Sequence, residues 1–185
     1  MPDYPSEIRA PAGSLAGVSG YQLNFGGQDV TTPGDAPFVL IAMNPAALKV
    51  NLADLQPGGV IIANEDEFTP ENLEKAQYDS NPLEDGSLQG VQVVRVPMTR
   101  LNEDAVRHTG LNRAQRARCR NFFALGLALW LYDRPIQPAV EWLMRKFQKT
   151  PDVMAANGAS LRAGMNYANT AELFRVHYQV VHADL

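Results

Sequence analysis

Cysteine is almost missing from this sequence: Cys119 is the single example in 185 residues. No disulfide can close within the chain, and one thiol with three scattered histidines cannot build a cysteine-rich zinc or iron–sulfur site. A reducing, cytoplasmic compartment is the expectation. Basic surplus is missing too. Sixteen lysines and arginines stand against 20 acidic residues, for a formal charge of −4. Phosphate-backbone binding usually shows as a basic excess, so nucleic acid is not an expected partner. The first residues, MPDYPSEIRAP, lack an apolar signal core. The longest later apolar run, Phe122 to Tyr132, is about half the length that spans a bilayer. It reads as a buried helix, and no membrane partner is expected. No internal repeat or low-complexity tract is present.

What is there reads as alternating strand and helix. Phe38 to Met43 is an unbroken apolar run, the pattern of a strand buried on both faces in a parallel sheet. Asn44 then stands as an N-cap and Pro45 as a first helical residue, predicting a helix to about Leu55. Pro57-Gly58-Gly59 stops it. Val60 to Ala63 is a second buried strand, ending at Asn64. Thr69-Pro70-Glu71 is a helix start, and Val91 to Val96 is a third strand. A weaker strand is expected over Val18 to Phe25. Beyond these lie a short helix at about Glu103–His108 and a long one from the Asn112 cap to about Tyr132. A helix at Pro138–Gln148 and two pieces at Ala155–Asn166 and Thr170–Phe174 complete the reading. The class is α/β with a mainly parallel, three-layer, Rossmann-like sheet and a helical C-terminal part. In such sheets ligands bind where strand ends feed helix N-termini, so Asn44 and Asn64 draw attention as possible rim residues. Helix capping is the competing account of Asn44.

Other constellations carry less. Cys119 lies between Arg118 and Arg120, where a stabilised thiolate or a plain helix-packing thiol are both open. His108, His177 and His182 have no ligand spacing around them. Gly13, Gly17 and Gly20 form a glycine-rich stretch, yet no strand precedes it and no Gly-Lys-Ser/Thr follows. Arg113, Arg116 and Arg120 fall near one helix face. They read either as a phosphate clamp or as a solvated face.

Several long segments together resemble one family. EIRAPAGSLAGVSGYQLNFG (7–26) and TPGDAPFVLIAMNPAALKVNLADLQPGGVIIAN (32–64) carry most of it. NPLEDG (81–86), RNFFALGLALWLYDRP (120–135), MRKFQK (144–149) and ANGASLRAGMNYANTAELF (156–174) extend it. The chain resembles the gamma domain of 2-oxoacid:ferredoxin (acceptor) oxidoreductases, in the branch fused to the alpha subunit of the 2-oxoglutarate enzyme. The resemblance implies one partial gamma-type domain over residues 1–185. The implied reaction is decarboxylation of a 2-oxoacid to an acyl-coenzyme A, with electrons passing to ferredoxin. Thiamine diphosphate, Mg and iron–sulfur clusters are implied in the alpha and beta partner subunits, coenzyme A is the co-substrate, and catalysis resides outside this chain. The family's first strand and glycine-rich loop have no counterpart before Glu7, which implies an exposed edge beside the Phe38 run. Arg9, Asn44, Asn64 and Asn121 are the expected ligand- or partner-facing residues. The alternative is a stand-alone α/β module that binds coenzyme A or a nucleotide through Arg113, Arg116 and Arg120.

Overall fold

The computed structural model describes residues 18, 20–24, 36–171 and 178. These fall into two compact units that divide between Val96 and Pro97.

The first unit is built as strand, helix, strand, helix, strand. Its elements are β1 (Val39–Ala42), α1 (Pro45–Asn51), β2 (Val60–Asn64), α2 (Pro70–Lys75) and β3 (Gln92–Val96). All pairing is parallel, in the order β1-β2-β3. Val39 pairs with Val60, and Asn64 with Val96. The central place of β2 explains its burial: all five residues of VIIAN are buried. On one face, Ala42, Ile61 and Ala63 pack with Leu48 of α1, Leu73 of α2, Leu55 and Phe68. The alternate residues Val60, Ile62 and Asn64 are also buried, as period-two geometry directs them to the opposite face.

Two strand expectations need correction. Burial on both faces fits β2 but not the Phe38 run. There the strand is Val39–Ala42, and only Ala42 is fully buried. Among the described residues β1 is an edge of the sheet, so its side chains have neighbours on fewer sides. The expected strand over Val18 to Phe25 does not form at the positions described. Residues 20–24 are irregular, with Tyr21 57% and Leu23 61% exposed; Phe25 lies outside the described residues.

The helix starts in this unit are local chemistry. Asn44 accepts from the Ala47 amide at 2.8 Å, and Pro45 opens α1. Thr69 accepts from the Asn72 amide at 3.3 Å, and Pro70 opens α2. α2 ends on Gln77 in the left-handed region, φ 59°. The Tyr78 amide donates back to Leu73 O at 2.9 Å there, closing the last turn.

The second unit is helical: α3 (Met98–Val106), α4 (Arg113–Arg118), α5 (Arg120–Leu131), α6 (Gln137–Lys146) and α7 (Pro151–Thr170). Three boundaries differ from expectation. α3 begins at Met98, directly after β3. The expected long helix from Asn112 is two helices, interrupted at Cys119. α7 starts four residues before the expected Ala155 and runs on past Asn166 to Thr170; of the expected Thr170–Phe174 piece, residues 172–174 lie outside the described residues. α5 and α7 approach so closely that backbone meets backbone. A side chain at Gly164 would strike the Phe123 carbonyl, and one at Gly126 would strike Leu161 O and Met165 N. No helix among the described residues is long and apolar enough to cross a membrane.

Candidate functional site

In the first unit the structure brings Asn44 and Asn64 to the same end of adjacent parallel strands. β1 and β2 run in register through Ala42 and Ala63, so both asparagines emerge at the carboxyl edge of the sheet. Asn44 is half-buried, and its side-chain oxygen holds the α1 N-terminus. Asn64 is fully buried, and its Nδ2 lies 3.5 Å from Met43 O, the long limit of a hydrogen bond. A buried amide is costly unless it is hydrogen-bonded, and a satisfied one fixes its surroundings. Next to it, Arg95 reaches Glu65 Oε2 and Glu84 Oε1, each at 3.3 Å. That triad joins β3 to the segment after β2. Its charges are far apart in sequence and gave no local signal.

A shallow cleft of about 450 Å³ lies beside the end of α2, lined by Leu73, Gln77, Tyr78 and Asn81 among others. Burial raises the Tyr78 hydroxyl above its usual value, and the charge of Asp85 adds to the shift. Lys49 Nζ stands 4.7 Å from the Tyr78 ring centre and donates to Gln77 O at 2.6 Å. The cleft thus has an aromatic wall, but no paired acid and base converge on it.

The remaining candidates belong to the second unit, except Arg9, which lies outside the described residues, as do Gly13, Gly17, His177 and His182. Asn121 is exposed in the first turn of α5. Arg113 is exposed at the start of α4, behind a reciprocal cap in which Asn112 and Gln115 exchange two 3.0 Å bonds. Arg116 and Arg120 are tied down. Arg116 Nη1 donates to Leu111 O at 2.9 Å. Its Nε lies 2.8 Å from Glu103 Oε1, at an angle that makes the contact an ion pair rather than a hydrogen bond. Arg120 Nε donates to Ala117 O at 3.1 Å, and its Nη1 to Thr99 Oγ1 at 2.9 Å. A phosphate gripped by these two guanidinium groups would have to displace such contacts.

Two residues outside the sequence-based candidates hold this region. Where α4 gives way to α5, Arg116 O accepts from the Cys119 amide at 3.0 Å and Cys119 O from the Phe122 amide at 2.9 Å, and side chains from other helices add to both. Asn102 Nδ2 donates to Arg116 O at 3.0 Å. The buried Ser160 hydroxyl lies 2.7 Å from Cys119 O and 2.8 Å from Asn102 Oδ1. With one proton to give, it is shared between those acceptors. Cys119 itself is buried, and burial pushes its thiol up from the usual value. A reactive thiolate needs the opposite shift, so the packing reading fits this geometry. His108 is exposed and accepts from Arg107 Nε at 3.1 Å. No group of three or more metal-ligating side chains occurs among the described residues.

Comparison with known proteins extends what geometry leaves open. The sequence profile of the family described as pyruvate ferredoxin/flavodoxin oxidoreductase matches residues 1–167. The 2-oxoglutarate oxidoreductase subunit KorA of Mycobacterium tuberculosis is 46% identical over all 185 residues. The chain spans 28% of the length of that relative. Among solved structures, a 2-oxoglutarate:ferredoxin oxidoreductase from Magnetococcus marinus, with 2-oxoglutarate, coenzyme A and succinyl-CoA bound, superposes with a TM-score of 0.61. That likeness covers 85% of this chain and 24% of the other, at 21% identity, and it establishes a shared fold.

Proposed function

The chain belongs to the pyruvate ferredoxin/flavodoxin oxidoreductase family, and from that premise we propose that it is the gamma-type component of a 2-oxoglutarate:ferredoxin oxidoreductase. The observation that carries this reading is the 46% identity to KorA along the whole chain. In the proposed assembly 2-oxoglutarate and coenzyme A yield succinyl-coenzyme A, carbon dioxide, a proton and two electrons for ferredoxin. The described donor set does not fit an iron–sulfur cluster: the one thiol is buried, and no ligand cluster accompanies it among the described residues. We assign thiamine diphosphate, Mg and the iron–sulfur clusters to alpha and beta partner domains in the cytoplasm. Both units of this chain together form one gamma-type domain packed against those partners. Arg9, Asn44, Asn64 and Asn121 are its proposed ligand- or partner-facing residues, with the buried Asn64 fixing the sheet edge.

The test is an assay of 2-oxoglutarate oxidation with coenzyme A and an acceptor dye. The purified chain is expected to show no turnover even with added thiamine diphosphate, whereas its complex with the catalytic subunits is active. Turnover by the chain alone would refute the division of labour. Calorimetry with coenzyme A examines the stand-alone alternative. Micromolar binding by the chain alone, lost in an Arg116→Ala/Arg120→Ala double variant, would favour that alternative.

A further inference from the structure

α6 is a ten-residue helix with one fully buried side chain, Leu143. An isolated helix of that length is marginal in water and draws its stability from packing. Yet Trp142 is 45% exposed on it. This indole is no stray surface ring. It lies 6.3 Å from Phe122 of α5 and 6.1 Å, edge-on, from Phe147. Both phenylalanines are half-buried. The three rings form a cluster already ordered, with the indole at its exposed end. One helical turn beyond Trp142, on the same side of the helix, come Arg145 and Lys146. Both are exposed, and neither takes part in an ion pair among the described residues. In a chain of net charge −4, two unpaired cations beside an exposed indole run against the overall balance.

We propose that this aromatic cluster is the face by which the chain docks on the catalytic part of a 2-oxoacid oxidoreductase, at an apolar pocket rimmed by carboxylates. The inference rests on the functional reading above and adds the location and chemistry of the contact. Tryptophan and arginine dominate the energetic centres of protein interfaces, where an ordered aromatic anchor loses little entropy on binding. Arg145 and Lys146 supply the charge that a carboxylate rim complements. A partner of sufficient size is implied by the relatives: this chain matches 28% of the length of KorA, so most of that protein lies in other regions. A lipid surface is the less suitable occupant. Glu141 is exposed beside Trp142, Leu143 is buried, and the exposed Met144 stands about 200° round the helix from Trp142, so the exposed apolar side chains do not share one broad face for an interfacial helix.

The test uses the full chain and the catalytic subunits of the same cell's 2-oxoacid oxidoreductase, with affinity measured between 50 and 300 mM salt, roughly the range over which screening grows strong. Trp142→Ala is expected to weaken binding about thirtyfold, the size of an interface hot spot. Arg145→Glu/Lys146→Glu, with an unchanged fold checked by circular dichroism, is expected to weaken binding and flatten its salt dependence. Glu71→Lys, on an exposed residue of the first unit, should leave affinity unchanged. Wild-type affinity in both docking variants would overturn this proposal while sparing the functional reading. Absence of any complex with the unmodified chain would overturn both. Binding of phosphatidylglycerol vesicles, or self-association in sedimentation, that is lost in Trp142→Ala would overturn it in favour of a lipid or a second copy.

Discussion

Two side chains hold a backbone shape that glycine adopts at lower cost. Gln77 ends α2 at φ 59° and Asp133 follows α5 at φ 49°. At Asp133 the Arg134 amide donates to Leu129 O at 2.8 Å, the same closing turn as at Gln77. A left-handed conformation costs a residue with a Cβ roughly 1 kcal/mol. Gln77→Gly and Asp133→Gly are each expected to raise stability by about 1 kcal/mol in urea titrations, and a loss in either would show that the side chain repays its strain. Protons tell a second residue-level story. Cys119, Tyr78 and Tyr132 all hold their protons more tightly than usual, chiefly because burial disfavours the charged form. The folded state therefore keeps protons that the unfolded chain releases first. Stability is full well below about pH 8.5, the midpoint of thiol ionisation in an unfolded chain, and falls as pH rises through it. A melting temperature that climbs above that pH would contradict the sign.

Among the elements, the tightest contact is α5 against α7. Gly164→Ala places a methyl group on the Phe123 carbonyl. Backbone on both sides cannot yield as a flexible side chain would, so the expected loss is about 3 kcal/mol or more, read from urea midpoints. An unchanged midpoint would mean that the helices can separate freely. This contact also shows where sequence reading stops. Asn44-Pro45 and Thr69-Pro70 announced their helices because caps and first-turn prolines act locally. VIIA announced a buried strand by composition. The expected helix over Ala155–Asn166 already runs through Gly158 and Gly164, but nothing local says that Gly164 lets α5 approach. The interruption at Cys119 was hidden as well. RAQRARCR contains no breaker, and the bonds that Asn102 and Ser160 add to the Arg116 and Cys119 carbonyls come from other helices. At the candidate site, Asn44 and Asn64 were legible because strand ends can be counted along the chain. The commitments of Arg116 and Arg120 were not, since Glu103 and Thr99 reach them through the fold.

For the whole molecule, chain order matters as much as composition. Among the described residues every strand pair is parallel, so no two of these neighbours can join through a tight turn, and each pairing waits for a crossover. Non-local pairing of this kind slows folding and leaves apolar strands uncovered in the meantime. Refolding from urea is therefore expected to lose yield as protein concentration rises, with light scattering as the measurement. Full recovery at all concentrations would contradict it. The same geometry sets a clock during synthesis. The VIIAN strip of β2 leaves the ribosome ahead of Gln92–Val96. At about 5–20 residues per second, it waits on the order of seconds for its second flank. For that interval the nascent chain is a natural client for whatever shields apolar segments at the tunnel exit.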